Sequence, residues 1–232
     1  MNPDDSIFVQ VLRGEQMHAI LLAAFICVSL LLITGCTRAT TAVSFEDLCD
    51  LTREQFAVMD EESLIQWVWE KHGVVPSELG QQEEDRAEVV LYGWRKGETY
   101  RTARLHGGRP VWISMTDIRD GPTFGQVLET LGPPEAVYTY ATVYDGTSYG
   151  VILEYPAQGL SLGRKQFTRL VLTEVVLSER TQVNTVDCYT PGSLEVVLHQ
   201  AFGIPAENVP IALQQHKPWP GFGAEVSLDT NP

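Results

Sequence analysis

The sequence predicts an α+β fold in which short capped helices alternate with antiparallel hairpins and meanders. Three observations carry that prediction. A helix-shaped pattern recurs in "SLIQWVWEKHGVVPSEL" (63–79), "TFGQVLETLGPPEAV" (123–137) and "SLEVVLHQAFGIPAENV" (193–209). Strand-forming runs broken by turn residues follow the first two copies. The stretches between are too short for parallel βαβ units throughout.

The amino-terminal segment comes first. Residues 19–33 read AILLAAFICVSLLLI and carry no charge. A bilayer-spanning helix wants about 20 residues, so this run suits the apolar core of an export signal better. It ends in Ile33-Thr34-Gly35-Cys36, with slim residues before a cysteine. That tetrad resembles the lipobox of bacterial lipoproteins. The resemblance implies diacylglycerol on the Cys36 sulfur, cleavage just before it, and acylation of the new amino group. Thr37 follows where an Asp would signal retention in families that sort lipoproteins outward, so export to an outer membrane is permitted. Asp4, Asp5 and Glu15 beside Arg13 are unusual before a signal core, which leaves the start at Met1 or Met17 open. An uncleaved single-span anchor and a plain secreted protein are the alternatives.

Cleavage would remove a net charge of −2 from the total of −14, leaving 197 residues at −12. A hydrophobic fraction of 44% supports a packed core, and 20% charged residues argue against wholesale disorder. The acidic balance argues against nucleic acid, whose binding depends on Lys and Arg neutralising phosphates. It also argues against docking on anionic lipid through a basic patch.

With Cys27 in the signal and Cys36 lipidated, Cys49 and Cys188 remain. Outside the cytoplasm an even pair is a disulfide candidate. Two unrelated buried thiols are the other reading.

Residues 37–44 form a tether. In the recurring pattern Ser63, Thr123 and Ser193 are expected N-caps. Gln66 and Gln126 are placed to complete capping boxes, while Val196 leaves the third copy without one. Glycines 73, 132 and 203 supply left-handed stops, with Pro soon after. Phe124, Val127, Leu128 and Leu131 share one helix face, as do Leu194, Val197, Leu198 and Ala201. Strands are expected at 88–94, 100–105 and 111–115, the last two joined across Gly107-Gly108. More follow at 137–144 and 148–155 across Asp145-Gly146, then at 159–162 and 169–177. The expected organisation is a signal peptide (1–35), a lipidated tether (36–44), a first helix–hairpin unit (45–118), a second (119–180) and a truncated third (181–232). Two or three units would then repeat.

Over residues 121–177, and chiefly in "TFGQVLETLGPPEAV", the chain resembles SmpA/OmlA (BamE-like) domains. That resemblance implies two helices packed on a three-stranded antiparallel sheet, and a role in envelope assembly or binding.

Chemistry is sparse. "GTSYG" (146–150) matches the nucleophile-elbow pattern at Ser148, with Asp187 and His199 or His216 as conceivable partners. That motif needs a strand, a strained turn and a helix, whereas a hairpin is expected here. His72, His106, His199 and His216 lack metal-ligand spacing, so no metal and no cofactor is expected. His72 and His199 are expected in solvated or cap-supporting roles, and the acidic run 83–88 in a solvated loop. On the first helix Leu64, Trp67 and Val68 share one face, and Ile65 and Trp69 another. Trp69, with Trp219 and Phe222 on "PWPGFG", forms a candidate binding surface.

The expected function is that of a non-enzymatic binding or assembly module, lipid-anchored at the cell membrane or outer membrane and facing away from the cytoplasm, acting on a protein partner. A carbohydrate- or small-ligand-binding module is the alternative, and a Ser148 hydrolase the third reading.

Overall fold

A computed structural model describes residues 44–75, 79–83, 89–143, 147–168 and 172–230. Cys36, the signal, most of the tether, Pro76, the Asp145-Gly146 turn and most of the acidic run 83–88 therefore lie outside the described residues.

Three helices open the domain: α1 (Phe45–Cys49), α2 (Arg53–Val58) and α3 (Glu61–His72). Each starts at a side chain that accepts from the first turn: Ser44 from Asp47 N–H, Thr52 from Gln55 N–H, and Asp60 from Ser63 N–H. Thr52 and Gln55 complete a reciprocal capping box. The third helix thus begins earlier than expected. Ser63 sits inside its first turn, and Gln66 bonds Glu70 instead of closing a box. Asp60 wins because a carboxylate at the cap also meets the positive end of the helix dipole. Gly73 ends α3 at φ 70°, as anticipated.

Strands β1 (Gly80–Glu83), β2 (Val89–Lys96), β3 (Thr99–His106) and β4 (Arg109–Thr116) follow. Helix α4 (Phe124–Leu131) has the Thr123/Gln126 capping box expected of it. It leads into β5 (Ala136–Val143), β6 (Thr147–Tyr155) and β7 (Leu160–Thr168), then β8 (Glu174–Val176) and β9 (Thr185–Tyr189). Helix α5 (Leu194–Gln200) is capped by Ser193, and α6 (Val209–Gln215) begins with a proline in its first turn. Short strands β10 (His216–Lys217), β11 (Glu225–Ser227) and β12 (Asp229–Thr230) close the chain.

Among the described residues, one large sheet runs β1-β2-β3-β4-β9-β7-β6-β5-β10, and β12 adds to β5 in parallel. β8 and β11 pair separately. The class is therefore mixed helix and antiparallel sheet. Two meanders, β2-β3-β4 and β5-β6-β7, are joined edge to edge by β9. All of it lies within one compact unit, Ala42–Pro232.

Residues directly opposite on antiparallel strands share a face. Tyr92, Trp94, Ala103, Ile113, Met115, Val186, Cys188, Leu160, Leu162, Val151 and Leu153 thus line one face, and all are buried. Helices α1 to α4 cover that face through Phe45, Phe56, Leu64, Val68, Phe124 and Val127. A disulfide between Cys49 and Cys188 fastens α1 to β9, with the Cα atoms 6.1 Å apart.

Candidate functional site: the open sheet face

The opposite face is built differently. One cross-strand row reads Gly93-Thr102-Ser114-Asp187-Ser161-Glu154-Ala136. The next reads Arg95-Tyr100-Thr116-Thr185-Gly163-Ile152-Tyr138-His216. Eight strands at about 4.8 Å spacing make that second row about 34 Å long. Helices α5 and α6 shield only one end. Val197, Ala201 and Phe202 pack on Tyr189 and Trp112, while Leu194, Leu198 and Ala212 pack on Ala136. Along the second row Thr116, Thr185, Ile152 and Tyr138 are half-buried and Tyr100 is exposed.

Glycine shapes this surface. A Cβ at Gly150 would lie 2.3 Å from the Tyr140 ring, and one at Gly93 would lie 2.5 Å from the Tyr100 hydroxyl. The two tyrosines therefore lie down across the sheet in space that only glycine leaves. Tyr138 stacks on Tyr140 at 5.7 Å and on His216 at 4.9 Å, forming an aromatic strip at the sheet edge.

Under the tyrosines lies a buried polar cluster. Glu154 is 2% exposed, Ser161 0% and Asp187 7%. The Ser161 hydroxyl donates to the Glu154 carboxylate and lies 2.9 Å from the Tyr189 hydroxyl. Tyr189 donates to the Leu160 carbonyl at 2.8 Å. The His216 Nε2 lies 3.7 Å from Glu154 Oε1, and its Nδ1 is 2.8 Å from the Ala212 carbonyl oxygen. Trp112 Nε1–H donates to Asp187 at 3.0 Å. Burial, reinforced by the Glu154 charge, pushes the Asp187 carboxyl up to about 7 against the pull of bonds from Ser114 and Trp112. Burial also holds the Tyr140 hydroxyl at about 12.

These groups do not make a nucleophile triad. Ser161 is enclosed and bonded to a carboxylate, with the imidazole on the far side of that carboxylate. Ser148 is buried within β6, a continuous strand that runs into a 3₁₀ turn. It stands six residues from Glu154 along that strand, about 20 Å from the row that holds Asp187. His199 is committed elsewhere, its Nδ1 2.8 Å from the Ile204 carbonyl oxygen.

Of the sequence-derived surface, Trp219 and Phe222 are in contact with each other. Trp69 is 50% exposed on α3, which packs on the covered face. Trp219 and Phe222 pack edge-to-face at 5.1 Å and lie half-buried against the main core. The sequence reading did not single out the open-face tyrosines; for Tyr138 and Tyr140 the period-2 alternation in "VYTYAT" is the signal that finds them. His72 also differs from expectation, being buried beside Trp67 and Trp94 instead of solvated. Among the described residues, no group of three or more His, Cys, Asp or Glu could hold a metal. No described helix is long and apolar enough to cross a membrane.

No protein-family model matches the chain, and no curated protein matches it. Among solved structures it is similar to a "putative beta-lactamase inhibitor protein" from Streptococcus mutans. The identity is 15%, over 52% of this chain and 84% of that chain, with a TM-score of 0.23. A likeness of that size leaves the function open.

Proposed function

We propose that this chain is a membrane-anchored lipoprotein facing away from the cytoplasm, and that its domain binds a protein partner in the cell envelope through the open sheet face without catalysing a reaction. The observation that carries the reading is the row Tyr100-Thr116-Thr185-Gly163-Ile152-Tyr138, half open in the middle of a wide sheet. Tyrosines offer large, stiff, amphipathic contact area, and small hydroxylated and glycine positions let a partner approach closely. The Cys49–Cys188 bridge supports an oxidising location, where structural disulfides persist. The lipobox residues Ile33 to Cys36 support the anchor. The enclosure of Ser161, Glu154 and Asp187 supports a binding role over a catalytic one.

The architecture follows the same reading. Helices α1–α3 precede one meander and α4 precedes the other, an element order that supports two repeated helix–meander units. The second is read as BamE-like over 121–177 on the resemblance of its sequence. The segment from 181 onward then supplies the joining strand β9 and the partial cover α5–α6 in place of a third unit.

Two measurements test this. A photo-crosslinking residue at Thr116 or Thr185, placed in the native envelope, should give a discrete protein adduct. The same residue at Val58, which is 81% exposed on α2, should not. Equal adducts from all three positions, or none, would sink the binding reading. The intact mass of the purified protein should correspond to an acylated chain beginning at Cys36. A mass that retains residues 1–35 would sink the anchor.

A further inference from the structure

The chemistry of the partner follows from charge, and this step rests on the reading of the open face just given. The chain carries −14 overall. Its helical side shares that sign, with Glu46, Asp47, Glu54, Glu61 and Glu62 in the first turns of α1, α2 and α3. The open face does not. Its carboxylates Asp187 and Glu154 are buried. Among the described side chains of its rows, the Lys, Arg, Asp and Glu groups that reach solvent are Arg95, Arg104, Arg109 and Lys165.

Two of these are occupied at home. Arg104 lies against Gly203, and Arg109 acts on the Asp60 carboxylate. Arg95 and Lys165 face outward, and each lies over an exposed aromatic ring. Arg95 is 5.9 Å from the Tyr100 ring and Lys165 Nζ is 5.4 Å from the Phe167 ring. Beside Arg95 a cleft of about 680 Å³ is also lined by Arg119, paired to Glu98, by Asp117, and by Arg164, which is opposite Val151 and so belongs to the covered face. In a strongly acidic protein, a face whose solvent-reaching charges are cations selects the opposite sign in what docks there.

We propose that the open face docks a carboxylate-rich segment of a protein partner, whose Asp or Glu side chains meet Arg95 and Lys165 while its apolar groups lie on Tyr100, Ile152 and Tyr138. A lipid surface fits less well. Headgroup recognition draws on a contiguous cluster of about 4–8 basic residues, whereas here cations flank a floor of tyrosine, threonine and isoleucine. A second copy of the chain meets the first with like net charge.

The experiment uses the full chain in an uncharged detergent and fluorescence anisotropy with labelled octaglutamate, octaglutamine and octalysine peptides. Octaglutamate should bind, more weakly as NaCl rises from about 50 mM to about 300 mM, and the other two should not. The double variant R95E/K165E should weaken octaglutamate binding at least ten-fold, and R95Q/K165Q should weaken it by less. The control R53E/K217E, which changes exposed cations elsewhere, should leave binding within two-fold. Four outcomes would overturn the proposal. Octaglutamate could bind no better than octaglutamine, or both charge-reversed pairs could weaken it equally. Phosphatidylglycerol vesicles could compete for the same residues and bind more tightly. Sedimentation could show a dimer that R95E/K165E dissolves. Should peptide binding fail while the Thr185 crosslink persists, the acidic partner is wrong and the open-face reading stands.

Discussion

Burial disfavours the charged form of both Asp187 and His72, so the two should be felt at opposite ends of the pH range. The Asp187 carboxyl titrates near 7 when folded, above its ordinary 3.8, because the sheet withdraws it from water. A carboxyl raised in this way contributes most below pH 3.8, and its contribution is lost as pH climbs through 7. D187N should therefore raise the unfolding free energy at pH 8 by on the order of 3 kcal/mol while changing little at pH 4. Urea melts at the two pH values check this, and equal effects at both would contradict it. His72 is held down to about 4, chiefly by burial and then by Arg101 and Lys96. Its ring nitrogens have no hydrogen-bond partner among the described residues. A histidine depressed from 6.5 supplies stability above that value and loses it as pH falls through 4. H72F, which can fill the same space between Trp67 and Trp94, should flatten the fall in Tm between pH 7 and pH 4. At this scale the sequence was only partly legible. The late-helix position of His72 was visible, but its burial depends on Trp67 and on Trp94, which arrives from a separate strand.

Among the elements, the joining strand β9 decides the sheet. It pairs with β4 on one side and β7 on the other, and its Cys188 is tied to α1 across 139 residues of chain. In the chain-entropy model, closing such a loop is worth about 5 kcal/mol. The C49A/C188A variant, or the reduced protein, should lose several kcal/mol in a urea melt. Protease nicking should appear first in α1. A loss under about 1 kcal/mol would mean that the bridge is incidental. Truncating the Thr123 cap should cost about 1 kcal/mol. The caps at Thr123 and Ser193 and the two meanders were readable because helix punctuation and period-2 alternation are local signals. Strand β9 was not, since "TVDCY" is short and has an aspartate at its centre, a residue depleted in strands. That aspartate belongs to the open-face row beside Ser161 and Ser114, which no local pattern reveals. Helices α1 and α2 escaped for a related reason. Five and six residues are too few to show a period.

For the whole molecule, the consequential feature is that its two sheet faces differ. One is sealed by four helices and carries the core. The other is shielded at one end and elsewhere presents tyrosine, threonine and glycine to solvent, with cations along it. The alternation that produces both faces was present in each strand of the sequence. Which face stays open could not be read there, because α5 and α6 reach it through long-range packing. Hydroxyl-radical footprinting in intact envelopes, set against the purified protein, tests the docking surface most directly. The account predicts that Tyr100, Tyr138 and Tyr140 are several-fold less oxidised in the envelope, while Trp69, half exposed on the far side, reacts equally in both. Equal oxidation of the three tyrosines in the two preparations would contradict it.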